Sequence, residues 1–520
     1  MKRILVALAS TLAVAAAVLT PVSPAQASDS YVPISGAGST WSQVAVDAWR
    51  ADVRASGVVV NFAGTGSTDG RSQFIQGTVD FANSEIPFQN PPEPGQQAEV
   101  PDRDFAYLPI VAGGTSFMYN LTVGGQRVRD LRLSGPTLAK IFTGEITRWS
   151  DPEIKKDYGK ALPDIPIIPI VRSDGAGASA QFSLYMRNQA SSVYCPFIRE
   201  KLHLSGSDCP SVSFYPSFGS SKAQVGSNGV ANYVSASYGA GSIGYVEYAY
   251  AKRIDFPVVS LLNKAGYFAQ PTAGNVAVAL TKAKINSNLT ADLTGVYNNP
   301  DPRTYPMSSY SYMIAPTSTD APFNADKGKT LSTFINYFLC AGQQKADILG
   351  YSPLPENLVQ AGFKQVLRIP GHVNPPAISQ CDNPALNILK TAPMPDKCDK
   401  LGSPCTTTNS GDGAGTTSGT GGTGTTGGTG GTGTTGGTGG TGGTGGGTGG
   451  APGAVDPLTG GTAGAVDPAT GAAVTATATP LTLTGGRTGQ AKAAAWVAAI
   501  ALALVVMVPP FLLRRSRARR

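Results

Sequence analysis

From Thr406 to Gln490 the chain is dominated by glycine and threonine, with scarcely a large apolar residue before Leu481. A segment of that composition cannot bury enough surface to offset the entropy of ordering it, so residues 406–490 are expected to form a flexible linker. At 5–6 Å × √n its r.m.s. span is ~50 Å, and a stretched chain reaches much further. The tract leaves residues 28–405 as the one part of the 520-residue chain long enough to bury a sizeable core. That length suits a large α/β domain of two lobes.

The two ends carry address labels. Lys2 and Arg3 precede an apolar run and then Ala25-Gln26-Ala27, the pattern of a secretory signal cleaved after Ala27, so residues 1–27 are expected to be removed. Ala493 to Leu513 is an uncharged apolar stretch, about long enough to span a bilayer. Arg514, Arg515, Arg517, Arg519 and Arg520 follow it, which makes residues 514–520 a cytoplasmic tail and leaves the bulk of the chain outside a single-pass anchor.

The formal net charge of +7 does not point to nucleic acid. Without the tail arginines, Lys2 and Arg3, 33 positive charges stand against 33 negative, and the exported part has no basic stripe. All six cysteines lie in that part, where an even count favours disulfides. Pairing sequence neighbours gives Cys195–Cys209, Cys340–Cys381 and Cys398–Cys405, one of fifteen connectivities open to six cysteines. With no C-x-x-C and only His203 and His372, a metal site is not expected, nor is a cofactor.

One device recurs three times in residues 28–405: a glycine turn running into a helix start. The first is ISGAGSTWSQVAVDAW, residues 34–49, where Thr40 and Gln43 fit a capping box and Val44, Ala45, Ala48 and Trp49 share a helical face. The second is NFAGTGSTDGRSQFI, residues 61–75, with Ser67 placed to cap a helix. The third is VRSDGAGAS, residues 171–179, with Ser179 as cap and Phe182, Tyr185 and Met186 turned inward. Free N–H groups and the positive end of a helix dipole make such turns anion traps. One such loop alone is most often a tight turn with a cap; three in one exported chain favour convergence. None carries the Gly-Lys-Ser/Thr of a P-loop or completes G-x-G-x-x-G with its later acidic residue.

The sequence closely resembles the phosphate-binding receptors of bacterial phosphate ABC transporters. The stretches that carry the resemblance are GAGSTW, GTGSTDG, VDFANSEIPF, LRLSGPTLAKIFTGEITRWSDPEI, VRSDGAGAS and GSIGYVEYAYA, with weaker likeness in YPMSSYSYMIAP and GYSPLPENLV, over about residues 33–370. The resemblance implies a monomeric two-lobed periplasmic-binding-protein fold of type II with its cleft between the lobes. Lobe 1 would take about residues 28–110 and 250–405, and lobe 2 about 111–249. The chain would cross between them near residues 107–117 and return after GYVEYAYA. It further implies inorganic phosphate as ligand and an ABC permease as partner.

Residue by residue, the family's phosphate ligands fall on Thr40, the Trp41 backbone, Ser67, Glu85, Arg172, Ala176, Gly177 and Ala178, with Asp174 orienting Arg172. Glu85 stands where the family uses an aspartate that accepts the proton of monohydrogen phosphate, a proton that sulfate lacks near neutral pH. Ala176 and Ala178 stand where the family uses a serine and a threonine. Two lost charge-assisted hydrogen bonds cost roughly 3–6 kcal/mol, on the order of 10² to 10⁴ in affinity. Waters would recover part of that, and the extra room would also admit a phosphate ester or phosphonate. The rival readings are a surface scaffold or adhesin that keeps the fold without tight binding, and a hydrolase. Against the hydrolase, the chain has no G-x-S-x-G, no S-x-x-K and no metal-ligand cluster.

Overall fold

The structure is a computed structural model that describes residues 31–403. The signal segment, the Gly/Thr tract, the apolar stretch 493–513, the arginine tail and Cys405 lie outside the described residues. Among the described residues no helix is long and apolar enough to cross a membrane.

Eight strands form one mixed sheet. In chain order they are β1 (Ile34–Gly38), β2 (Val60–Gly64), β3 (Phe81–Ser84), β4 (Phe105–Tyr119), β5 (Ile168–Arg172), β6 (Lys222–Gln224), β7 (Ser242–Glu247) and β8 (Ser308–Pro316). Across the sheet the order is β2-β1-β3-β8-β4-β7-β5-β6. The outer groups β2-β1-β3 and β7-β5-β6 are each parallel. Between them stands the antiparallel pair β8 and β4.

β4 reads FAYLPIVAGGTSFMY, a continuous apolar run of the kind a strand covered on both faces requires, and it is buried from Ala106 onward. Residues 105–109 and 111–114 pair with β8, with an irregularity at Ile110, and Thr115–Tyr119 pair with β7. β4 thus links β8, itself paired with β3, to β7 of the other group, and it contains the stretch at 107–117. After GYVEYAYA the chain forms a short strand, Ser260–Leu262, that pairs with Arg132–Leu133 before it rejoins the sheet as β8.

Four helices matter for the site: α1 (Gln43–Arg54), α2 (Ser67–Ile75), α3 (Gly177–Gln189) and α4 (Gly226–Ser235). α3 is fixed by the face expected of it. Phe182, Tyr185 and Met186 are buried, and the Phe182 ring lies 4.9 Å from Phe117 and 5.0 Å from Phe142 in edge-on contacts. α1 is rotated from expectation: Ala45, Val46, Trp49 and Val53 are buried, while Val44 and Ala48 are only partly so. The stack of Trp49 on Phe338 of the helix Ala325–Leu339 sets that rotation.

Cys195–Cys209 and Cys340–Cys381 are disulfides, as pairing by sequence neighbours predicts. By loop closure each contributes about 3–4 kcal/mol. The third pairing, Cys398–Cys405, involves a residue outside the described ones.

Candidate functional site

The three glycine loops meet. The first follows β1, the second follows β2 and the third follows β5, so all lie at the carboxyl ends of parallel strands. Ligands of open α/β sheets sit there, beside the point where strand order reverses. Glu85 directly follows β3, and a fourth element, the start of α4, follows β6. Thr40, Trp41, Ser67, Glu85, Arg172, Ala176 and Ala178 are all at most 3% exposed.

Two networks knit these residues. In the first, the Glu85 carboxylate is the hub. Its Oε2 accepts from the Ser67 hydroxyl (2.8 Å), and its Oε1 accepts from Ser311 of β8 (3.0 Å) and from Ser39. Ser67 Oγ accepts from the Gly177 N–H (3.0 Å), and Ser39 Oγ accepts from the Trp41 N–H (2.9 Å). Gly177 has to be glycine: a Cβ there would sit 2.4 Å from Glu85 Oε2 and 2.9 Å from Ser67 Oγ. Burial pushes the Glu85 carboxyl above its usual range, against the three hydroxyls and Arg172.

In the second network Arg172, at the end of β5, is clamped by Asp174. Nε donates to Oδ1 (2.8 Å), a terminal nitrogen donates to Oδ2, and Nη1 lies 3.5 Å from Ser227 Oγ. Asp174 also accepts the Gly226 N–H (2.9 Å), which ties the third loop to α4. Burial alone would raise the Asp174 carboxyl, but the Arg172 guanidinium and the Gly226 N–H outweigh it and hold it below the ordinary range. Gly66, with φ of +98°, lets the second loop pass close to Asp174; a Cβ there would lie 2.6 Å from Asp174 Oδ2. Thr40 joins this network, since its Oγ1 accepts the Ser227 N–H (3.0 Å) and bonds the Ser227 hydroxyl (3.1 Å).

Three capping expectations are corrected. Thr40 does not form a capping box: α1 begins at Gln43 after Ser42, and the Thr40 hydroxyl turns to Ser227. Ser67 is inside α2, not its cap, and serves Glu85. Ser179 is inside α3 and bonds the Tyr245 hydroxyl (2.7 Å); the cap position belongs to Ala176, which has no side chain to cap with. Ala176 instead donates its N–H to the Ser213 carbonyl (3.0 Å), and Ala178 is the second residue of α3. The short hydroxyl of Ser or Thr bonds a nearby backbone group and a distant side chain equally well, and packing decided for the distant one.

Ser39, Ser227 and Ser311 are site residues that sequence reasoning missed. Ser39 lies inside the first loop. Ser227 repeats the glycine-then-hydroxyl helix start in VGSNG, and in SSYSYM the serines alternate with tyrosines at the strand period. The GYVEYAYA motif proves to be scaffolding for the loops. The Tyr245 hydroxyl accepts the Arg172 N–H (3.2 Å), and the Tyr250 hydroxyl donates to the Thr40 carbonyl. Tyr351, in GYSPLPENLV, donates to the Trp41 carbonyl (2.6 Å). The Trp41 indole donates to Thr115 of β4 (3.0 Å) and meets the Tyr351 ring edge-on at 5.7 Å.

Glu247, also in the motif, is fully buried at the end of β7. Its Oε2 accepts the Ala249 N–H (2.6 Å), and its Oε1 has no hydrogen-bond partner among the described residues. Burial pushes its carboxyl well above the usual 4.5, the Ala249 N–H opposes this and the Glu85 charge adds to it. The folded state thus favours the protonated form. Its stabilising contribution is full below about pH 4.5 and is lost as pH rises through the raised value. Glu247→Gln, which keeps the shape without the proton, is expected to melt a few degrees above wild type at pH 8 and close to it at pH 4.5. Melting curves across that range are the check; equal melting at pH 8 would refute a protonated Glu247.

Residues 20–341 match the PBP superfamily domain. The phosphate-binding protein PstS of Xylella fastidiosa is 32% identical over 331 residues, 63% of this chain and 83% of that protein. PstS of Pasteurella multocida is 31% identical over 333 residues, covering 63% and 88%. The chain belongs to the PstS family of the PBP superfamily. Among other PstS relatives, the phosphate-binding protein PstS 2 of Mycobacterium tuberculosis is 29% identical over 310 residues, 58% of this chain and 77% of that one. In this PstS-family chain the loops, the Arg172–Asp174 clamp and Glu85 lie within the matched span, whereas the disulfide partner Cys381 lies beyond it.

Proposed function

We propose that the protein is an extracytoplasmic receptor for inorganic phosphate that serves an ABC permease. The observation that carries this reading is the convergence of three helix-start loops on the Asp174-clamped, buried Arg172. A cradle of backbone donors with one guanidinium suits a small dianion. Thr40, Ser67, Arg172, Gly177 and the Trp41 backbone would hold the oxygens, and Glu85 would take the proton of monohydrogen phosphate. The lobes would close over the ligand about β4 and β8, the two strands that join the outer strand groups.

The apolar stretch 493–513 with its arginines supports a single membrane span, and the Gly/Thr tract a tether of ~50 Å reach. Binding would be weaker than in a relative with hydroxyls at both positions, because Ala176 and Ala178 carry none. The same two alanines favour a second reading, a surface scaffold or adhesin with no working site. Calorimetric titration of the phosphate-stripped full chain with phosphate and with sulfate separates the two. Saturable binding of phosphate alone supports the receptor; no heat up to millimolar phosphate from folded protein supports the scaffold.

A further inference from the structure

The groups expected to receive a ligand's charge converge on a charge the chain itself supplies. The Gly177 N–H leads through Ser67 to Glu85 Oε2, and the Trp41 N–H leads through Ser39 to Oε1. Ser67 has one hydroxyl proton, and while Glu85 holds it a ligand cannot. The carboxylate lies against Gly177 at the start of α3, where no side chain caps the helix, so it also takes the favourable dipole end. Ser311 adds a third donor from the opposite side, and Ser39 and Ser311 both stand outside the ligand set that the family resemblance implies. An aspartate, one methylene shorter, is expected to hold fewer of the three hydroxyls.

We propose that Glu85 is a built-in competitor for the anion seat, and that Ser39 and Ser311 set ligand affinity by holding it there. The inference rests on the phosphate reading of this site. Phosphate enters when the carboxylate gives up its three-hydroxyl nest and turns to face the anion, whose proton it then accepts, which releases Ser67 and Gly177 to the incoming oxygens. Thr40, Ser227 and the free face of Arg172 serve the ligand in either state. Ser39 and Ser311 are thus positioning residues whose removal helps the ligand, the reverse of what a direct ligand would do.

The test is calorimetry of the full chain with inorganic phosphate, comparing wild type with Ser311→Ala, Ser39→Ala and Glu85→Asp, alongside melting without phosphate. Ser311→Ala is expected to bind phosphate roughly ten-fold more tightly or better, as loss of one charge-assisted hydrogen bond to the competitor requires, while melting lower. Glu85→Asp should also tighten binding. A gain in affinity with a loss in stability is a pairing that a merely structural serine would not give. Wild-type binding with equal or weaker binding by folded Ser311→Ala and Ser39→Ala overturns the competitor and leaves the receptor standing. No binding by any of the four folded proteins overturns the receptor reading itself, and the competitor with it.

Discussion

Arg172→Ala is expected to abolish measurable phosphate binding. The fork formed by Nε and one terminal nitrogen is already spent on Asp174, so what remains for a ligand is Nη1 and the outer proton of Nη2. Two charge-assisted bonds from that edge are worth roughly 3–6 kcal/mol, on the order of 10² to 10⁴ in affinity. The loss is enlarged by what stays behind. Asp174, with a side chain 12% exposed, would keep only the Gly226 N–H and face the incoming dianion unpaired. Breaking a buried pair from one side costs about 3–5 kcal/mol of stability, so the variant must be shown to be folded before its heats are read. Arg172→Lys is the control: it keeps a charge but cannot fork, and should bind measurably though weakly. Unchanged affinity in folded Arg172→Ala would remove the guanidinium from the site.

Restoring the two hydroxyls should move affinity the other way. Ala176→Ser with Ala178→Thr is expected to tighten phosphate binding by up to the same order, 10² or more. The two positions are not equivalent. Ala176 is the cap residue of α3, with φ −110° and ψ 130°, the extended backbone from which a serine hydroxyl reaches back to the second or third N–H of the helix. A serine there adds about 1 kcal/mol of stability as a cap, and each moment spent capping is taken from the ligand. Ala178, inside the first turn, offers no such diversion, so most of the gain should come from the threonine. Melting without phosphate isolates the cap, and titration of the two single variants isolates the ligand bonds. No gain from either would mean that these side chains do not face the bound anion.

The parts of the site that were legible in the sequence are those fixed within a few residues. The glycine turns, Arg172 with Asp174 two places on, and the inward face of α3 depend on backbone geometry that a short stretch dictates by itself. Ser227 and Ser311 were invisible for the opposite reason. They reach Thr40 and Glu85 across 187 and 226 residues of chain, and their local patterns, a helix start and a strand alternation, do not say which partner they meet. Thr40, Ser67 and Ser179 were misread as caps because local reasoning counts only nearby partners for a hydroxyl. The eight-strand order was likewise hidden, since β8, the last of these strands in chain order, enters the middle of the sheet. The stretch at 107–117 is expected as a crossing between lobes, but its place in one long strand between β8 and β7 depends on partners far away in the chain.

Trp41 turns this architecture into an optical signal. Its indole is 1% exposed and tied to β4 through Thr115, while its own backbone N–H is tied through Ser39 to Glu85. The chromophore therefore bridges the first loop and the strand that stands between β8 and β7. A rearrangement of the carboxylate is expected to change the polarity around the ring, and its emission with it. If phosphate displaces that carboxylate, tryptophan emission is expected to report occupancy in a fluorimeter without a dye or a label.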